Sequence, residues 1–195
     1  MLELLIAMGL FALVGAITPG PVNILAIRRS ASGHGRAATA YVLGASLSYT
    51  LVVWLMGKGG EQVLHNTWVV ETIRWAGAAY LLHLAWRIAM ASPSALADGA
   101  DAAAPSVARA FIDGGVVQTS NPKAWMVASA GVGLFVLPQP DVAAALRLFC
   151  AVSLLACCMG VGCWALAGRL LTQWLASAAR QRMFYRAMGV LLACS

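Results

Sequence analysis

Lys123 lies in Asn121-Pro122-Lys123-Ala124, within a stretch otherwise free of charge from Gly114 to Pro140. A lysine at mid-membrane depth costs about 2.5–3.5 kcal/mol on insertion scales, so it needs a partner or a wet cavity. A related stretch, Thr18-Pro19-Gly20-Pro21-Val22-Asn23, interrupts the uncharged run from Leu4 to Ile27. Pro19 and Pro21 each remove a backbone donor and Gly20 tolerates unusual dihedrals, so nearby carbonyls lose their helical partners. Freed backbone groups at membrane depth persist only where they are buried in protein or line a wet cavity. The chemistry of these residues is therefore the binding and passage of a polar solute. Pro122 follows Pro19 by 103 positions, and paired interruptions in two halves of a chain point to a transport site.

Positioning these motifs requires membrane-spanning elements, and the composition supplies them. The 195 residues are 61% hydrophobic and 10% charged, with a mean hydropathy of +0.80. These values define an integral membrane protein rather than a soluble domain. The net charge of +6 belongs to arginines clustered between apolar segments, not to a basic run interleaved with aromatics. It reads as positive-inside topology and argues against nucleic acid. The start, Met1-Leu2-Glu3, carries no basic residue, and the first apolar run reads as a retained span rather than a signal peptide. Cys150, Cys157, Cys158, Cys163 and Cys194 share the C-terminal third without C-x-x-C spacing and read as buried thiols, none close in sequence to either break.

The pattern predicts an all-α protein of six transmembrane helices arranged as two inverted three-helix repeats, with helices 1 and 4 broken at the proline motifs. Span one covers about Leu2 to Ile27, and Arg28, Arg29, His34 and Arg36 fall in a short connection with Gly33 and Gly35. Span two, Ala37 to Gly57, has 21 uncharged residues, about 31 Å as a helix. Its Ser46 and Ser48 suit close packing, with hydroxyls bonded back to their own helix. Span three, Val69 to Met90, contains Glu71, Arg74, His83 and Arg87. Trp68, Trp75 and Trp86 suit interfacial anchoring, and His83 reads as a structural residue.

Residues 91–106, rich in Ala, Asp, Ser and Pro, form a connector between repeat one, about 1–90, and repeat two, about 107–195, of a single transporter domain. Span four joins Val107–Ser120 to Ala124–Leu137 across the second break, and Pro138-Gln139-Pro140 forms an outer turn. Span five is Leu148 to Gly168. The basic stretch from Arg169 through Arg180, Arg182 and Arg186 suits an inner membrane surface, and the last apolar segment, Met183 to Ser195, is short for a span. Counting Lys and Arg over alternate loops gives nine on one side and three on the other, a bias that puts both termini outside.

These residues resemble the LysE/RhtB family of bacterial amino-acid exporters. Thr18-Pro19-Gly20-Pro21 with Asn23 looks like the family's first-helix motif, Gly77 with Tyr80-Leu81 like its third-helix motif, and Asn121-Pro122-Lys123-Ala124 like its fourth-helix motif, in the family's order. Gly189-Val190-Leu191-Leu192 is similar to the final helix. Ala38, Ser48 and Pro140 depart from the pattern. The resemblance implies no enzyme and no cofactor, but proton-driven export of an amino acid or related metabolite across the bacterial inner membrane, with a homo-oligomer compatible with the chain.

For such a substrate, the half-helices that begin at Pro21 and Pro122 offer donors and positive dipole ends to the carboxylate. Thr18, Asn23, Gln118 and Asn121 offer oxygens to the ammonium. Lys123 either attracts the carboxylate or holds Asp113 charged as a proton-coupling partner; otherwise it snorkels, with Asp113 beside Arg109 at the surface. Alternatives are a metal-cation exporter, which would want more carboxylates or thiols in the spans, and a membrane thiol electron carrier, which would want a thiol near each break. His34, His65 and His83 have no ligand spacing for a metal.

Overall fold

The computed structural model describes residues 2–31, 33–60 and 106–170, with isolated positions at Trp68, Glu71, Trp75, Ala79, Trp86, Ser177, Ala179, Arg180, Met183 and Ala187. The described residues are helical, with no strand among them: α1 (Leu2–Ile17), α2 (Pro21–Ala31), α3 (Gly35–Leu55) running into a wider turn at Met56–Gly60, α4 (Val107–Thr119), α5 (Pro122–Phe135) and α6 (Val142–Leu170). The third-span motif, His83, residues 91–105 of the connector and the final apolar segment apart from Met183 and Ala187 lie outside the described residues. Within the third span, the Trp75 indole donates to the Glu71 carboxylate at 2.9 Å, and Trp68, Trp75 and Trp86 are exposed.

Both breaks fall where the prolines require them. α1 stops at Ile17 and α2 starts at Pro21, with the two axes bent by 64°. α4 stops at Thr119 and α5 starts at Pro122, with the Asn121 side chain accepting from the Lys123 backbone N–H at 3.2 Å as an N-cap. Among the described residues, two helical stretches, Gly35–Gly59 and Val142–Leu170, are long and apolar enough to cross a membrane, and the bent α1–α2 pair makes a third.

Two expected boundaries shift for electrostatic reasons. Arg28 and Arg29, expected in the connection, form the last turn of α2, where cations complement the helix dipole. The turn after them places Gly33 at φ 81°. α6 begins six residues before the expected span because Asp141 accepts from the Ala144 N–H at 2.8 Å, so Arg147 lies exposed in the first turns of a helix rather than before it.

Large apolar side chains face outward and small or polar ones face inward. Leu43, Leu47 and Leu51 on α3, Leu2, Ile6, Leu10 and Val14 on α1, and Leu155 and Met159 on α6 are exposed at the spacing of one helical face. The opposite faces carry Ala37, Ala45 and Ser46, or Ala156, Cys157 and Ser153, all buried. That arrangement suits lipid, which offers no hydrophobic drive for helices to associate, so small residues must let backbones approach.

Each long helix lies against the broken span of the other half: α3 along α4, and α6 along α1 and α2. A β-carbon on Gly114 would sit 2.2 Å from the Tyr41 carbonyl oxygen, one on Gly44 2.0 Å from the Phe111 oxygen, and one on Gly160 2.7 Å from the Ala16 β-carbon. Ser48 departs from the expected back-bond and crosses to α4, donating to the Gly115 carbonyl at 3.0 Å and lying 2.6 Å from the Thr119 hydroxyl. Ser46 does bond back, to Val42 at 2.8 Å. Phe11, Phe135 and Phe149 add an aromatic chain joining α1, α5 and α6, with centroids 5.4 and 5.9 Å apart.

The backbone contacts yield a stability test. Gly114→Ala forces α3 and α4 apart and should destabilise the protein by about 1–3 kcal/mol. Gly9→Ala, with nothing within 4 Å of the added carbon, should be neutral or mildly stabilising. Thermal unfolding of the two variants in detergent separates the cases; equal melting temperatures would contradict the close packing of α3 on α4.

Candidate functional site

The break between α1 and α2 frees the carbonyls of Ala16, Ile17 and Thr18, and each finds a side-chain donor. The Asn23 amide donates to Ala16 O at 3.0 Å and to Thr18 O at 2.9 Å. The Trp164 indole reaches from α6 to Ile17 O at 2.9 Å, and the Lys123 ammonium reaches from α5 to Thr18 O, also at 2.9 Å. The second break is treated similarly, with the Trp125 indole donating to Thr119 O at 2.7 Å. One NH₂ group at position 23 thus serves two carbonyls, Ala16 O and Thr18 O, that the bend between α1 and α2 parts from the backbone N–H groups four residues on.

The two breaks meet at one cavity of about 30 Å³. Of the residues singled out from sequence, Thr18, Gly20, Asn23, Gln118, Asn121 and Lys123 line it; Pro19, Pro21 and Pro122 shape the breaks without lining it. Thr18 contributes its carbonyl rather than its hydroxyl, which turns back to Val14 O. Gln118 and Asn121 are buried, and the Lys123 stem lies over Gly20, where an added β-carbon would be 4.0 Å from both Cδ and Nζ. Among the described residues lining the cavity, Lys123 is the only charged one. It sits at the C-terminal end of α1, where the helix dipole is negative, so the ammonium is stabilised by both the carbonyl and the field.

Asp113 is elsewhere. Its carboxylate accepts from the Arg29 guanidinium at the end of α2, and that guanidinium also lies 5.2 Å over the Tyr41 ring, whose hydroxyl donates to Val22 O at 3.2 Å. The expected pairing of Lys123 with Asp113 does not form, and neither does the alternative pairing of Asp113 with Arg109. α4 runs unbroken from Asp113 to Thr119, so the break comes too late to fold the carboxylate back toward Lys123. Asp113 instead faces α2, where Arg29 supplies its countercharge.

Tyr49 and Cys157 also line the cavity, and neither was a sequence candidate. Cys157 corrects the expectation that no thiol lies near a break: its Sγ is 4.0 Å from Gln118 Nε2, although 35 positions separate it from Pro122. Its only sequence signal was its place in an uncharged span. Among the described residues no group of three His, Cys, Asp or Glu side chains could hold a metal.

Two proline breaks joined at a small cavity, with apolar residues turned outward, suit a membrane transport protein. The chain belongs to the LysE type translocator family, whose model matches residues 13–194. It is 38% identical over 172 residues to the cysteine/O-acetylserine efflux protein of Escherichia coli K12, covering 86% of this chain and 83% of that protein. The same identity and coverage hold for the protein of that name from Shigella sonnei, and a homologue from Escherichia coli O1:K1 is 37% identical over the same shares of the two chains. No solved structure matches the chain.

The bonds at the first break predict unequal roles for two neighbours. Asn23→Ala leaves Ala16 O without its donor and should cost about 1–3 kcal/mol. Thr18→Val removes only a hydroxyl bonded within its own helix and should change stability by less than about 0.5 kcal/mol. Thermal melts of both in detergent check this, and a Thr18→Val loss as large as that of Asn23→Ala would contradict it.

Proposed function

We propose that the protein exports small polar amino acids of the cysteine and O-acetylserine type from the cytoplasm across the bacterial inner membrane, in exchange for protons. The single observation that carries the reading is the meeting of both broken spans at one cavity, with the Lys123 ammonium on the Thr18 carbonyl. The relatives' names supply the substrate class. A zwitterion needs a cation for its carboxylate and carbonyls for its ammonium, and this cavity holds both within a hydrogen bond of each other. The thiol of Cys157, the amide of Gln118 and the phenol of Tyr49 complete a wall suited to a short polar side chain.

In this reading the chain forms two inverted three-helix repeats with both termini periplasmic, and alternating access moves one half against the other. The packing of each long helix on the other half's broken span supports it. The cavity of about 30 Å³ has room for about two waters, so an amino acid enters only as the lining side chains move. Arg29 and Asp113 join α2 to α4 across the halves, which gives Asp113 a place in the closing contact as well as in proton coupling.

Cells overexpressing the protein should accumulate cysteine and O-acetylserine in the medium above vector controls, and a protonophore should abolish the excess. Accumulation of neither compound at normal membrane abundance would overturn the substrate assignment, and accumulation indifferent to the protonophore would overturn the coupling. For topology, a Cys replacing Gly33 in a cysteine-free background should be shielded from impermeant thiol reagents in intact cells, whereas one replacing Lys58 should be labelled. The reverse pattern, or labelling of both, would exclude the inverted arrangement.

A further inference from the structure

The Thr18 carbonyl oxygen holds two donors, Asn23 Nδ2 and Lys123 Nζ, each at 2.9 Å, and a carbonyl oxygen has two lone pairs. It has no capacity left for a substrate ammonium. One donor must leave before an amino acid can use this end of α1, and the two are held very differently. Asn23 is 4% exposed and its amide also ties Ala16 O. Lys123 is only partly buried and ends in a compact ammonium on a flexible four-carbon stem. That stem crosses Gly20 with no side chain beneath it, at ordinary contact distance.

We propose that Lys123 is a tethered stand-in for the substrate's own ammonium: it occupies Thr18 O, and an incoming amino acid displaces it there and receives it on the carboxylate. This inference rests on the amino-acid export reading and specifies how that substrate is bound. One ammonium replaces another at the negative end of α1, so the break never loses its second donor and no carbonyl is orphaned in the membrane. Withdrawal of the lysine stem from Gly20 also enlarges the cavity on that side. A ligand must then carry both groups. An amine without a carboxylate displaces Lys123 but leaves it without a counterion, and an acid without an amine pulls Lys123 away and leaves Thr18 O one donor short.

The test measures binding of fragments to the purified full chain in nanodiscs, using cysteamine and ethylamine as amines and 3-mercaptopropionate and propionate as acids. Lys123→Met removes the competitor for Thr18 O and the partner of the carboxylate together. It should strengthen binding of both amines and weaken binding of both acids, each by about tenfold, the worth of one hydrogen bond to a charged group. Lys123→Gln keeps a neutral donor of similar length and should move the four ligands in the same directions by smaller factors, which covers the case in which the Met variant does not fold.

Weaker acids with unchanged amines would make Lys123 a plain carboxylate contact and overturn the exchange. Unchanged binding of all four would overturn it as well, leaving Lys123 a structural cap on α1. Failure of the substrate reading looks different. Wild type would then bind neither cysteine nor O-acetylserine, while ethylamine and propionate would still shift in opposite directions if the exchange holds; absence of that opposition would reject it too.

Discussion

The structure depends on one constraint: a backbone carbonyl freed inside a bilayer must find a donor. The bend between α1 and α2 leaves the carbonyls of Ala16, Ile17 and Thr18 in need of donors, and hydrocarbon supplies none. The donors come from α2, α5 and α6, namely Asn23, Lys123 and Trp164. Breaking α1 therefore recruits three other helices to one point. The break in the first span is the point at which α1 is hydrogen-bonded to α5 and α6.

The same constraint explains why the cavity is polar without being highly charged. Most of its hydrogen-bonding capacity is backbone or amide, and the single ammonium is matched to a carbonyl at a helix end rather than to a carboxylate. A carboxylate beside Lys123 would satisfy it more strongly and, in the proposed function, would compete with the substrate's own carboxylate for the same cation. Asp113 lies on Arg29 instead. The ion pair joins α2 to α4 at the same time, so its charges contribute to holding the halves together without entering the binding site.

Packing follows from what lipid does not provide. Leucines and methionines turned outward contribute solubility in the bilayer, whereas Gly44, Gly114 and Gly160 let backbones come within reach of one another. Such close approach makes short cross-helix hydrogen bonds geometrically possible, as from Ser48 to Gly115. Small residues at these crossings, beside a core cluster that still holds Met8, Tyr41 and Phe149, let a chain of this length keep a small cavity between its helices.

Both breaks and six of the residues lining the cavity were legible in the sequence, because prolines, glycines and charges act locally on the backbone beneath them. Thr18, Gly20, Asn23, Gln118, Asn121 and Lys123 were found because they sit on or beside the breaks. Tyr49 and Cys157 were not, since each lies in the middle of an uninterrupted span, where nothing local separates a cavity residue from an ordinary packing residue. The partner of Lys123 could not be read either. Sequence proximity favoured Asp113, but an unbroken turn and a half of helix kept that carboxylate away, and Arg29, 84 positions distant, took it. Which carbonyl meets which donor depends on how far α1 and α5 approach each other, a tertiary distance at which Gly15 lies against Val127 and which no local rule of the backbone fixes.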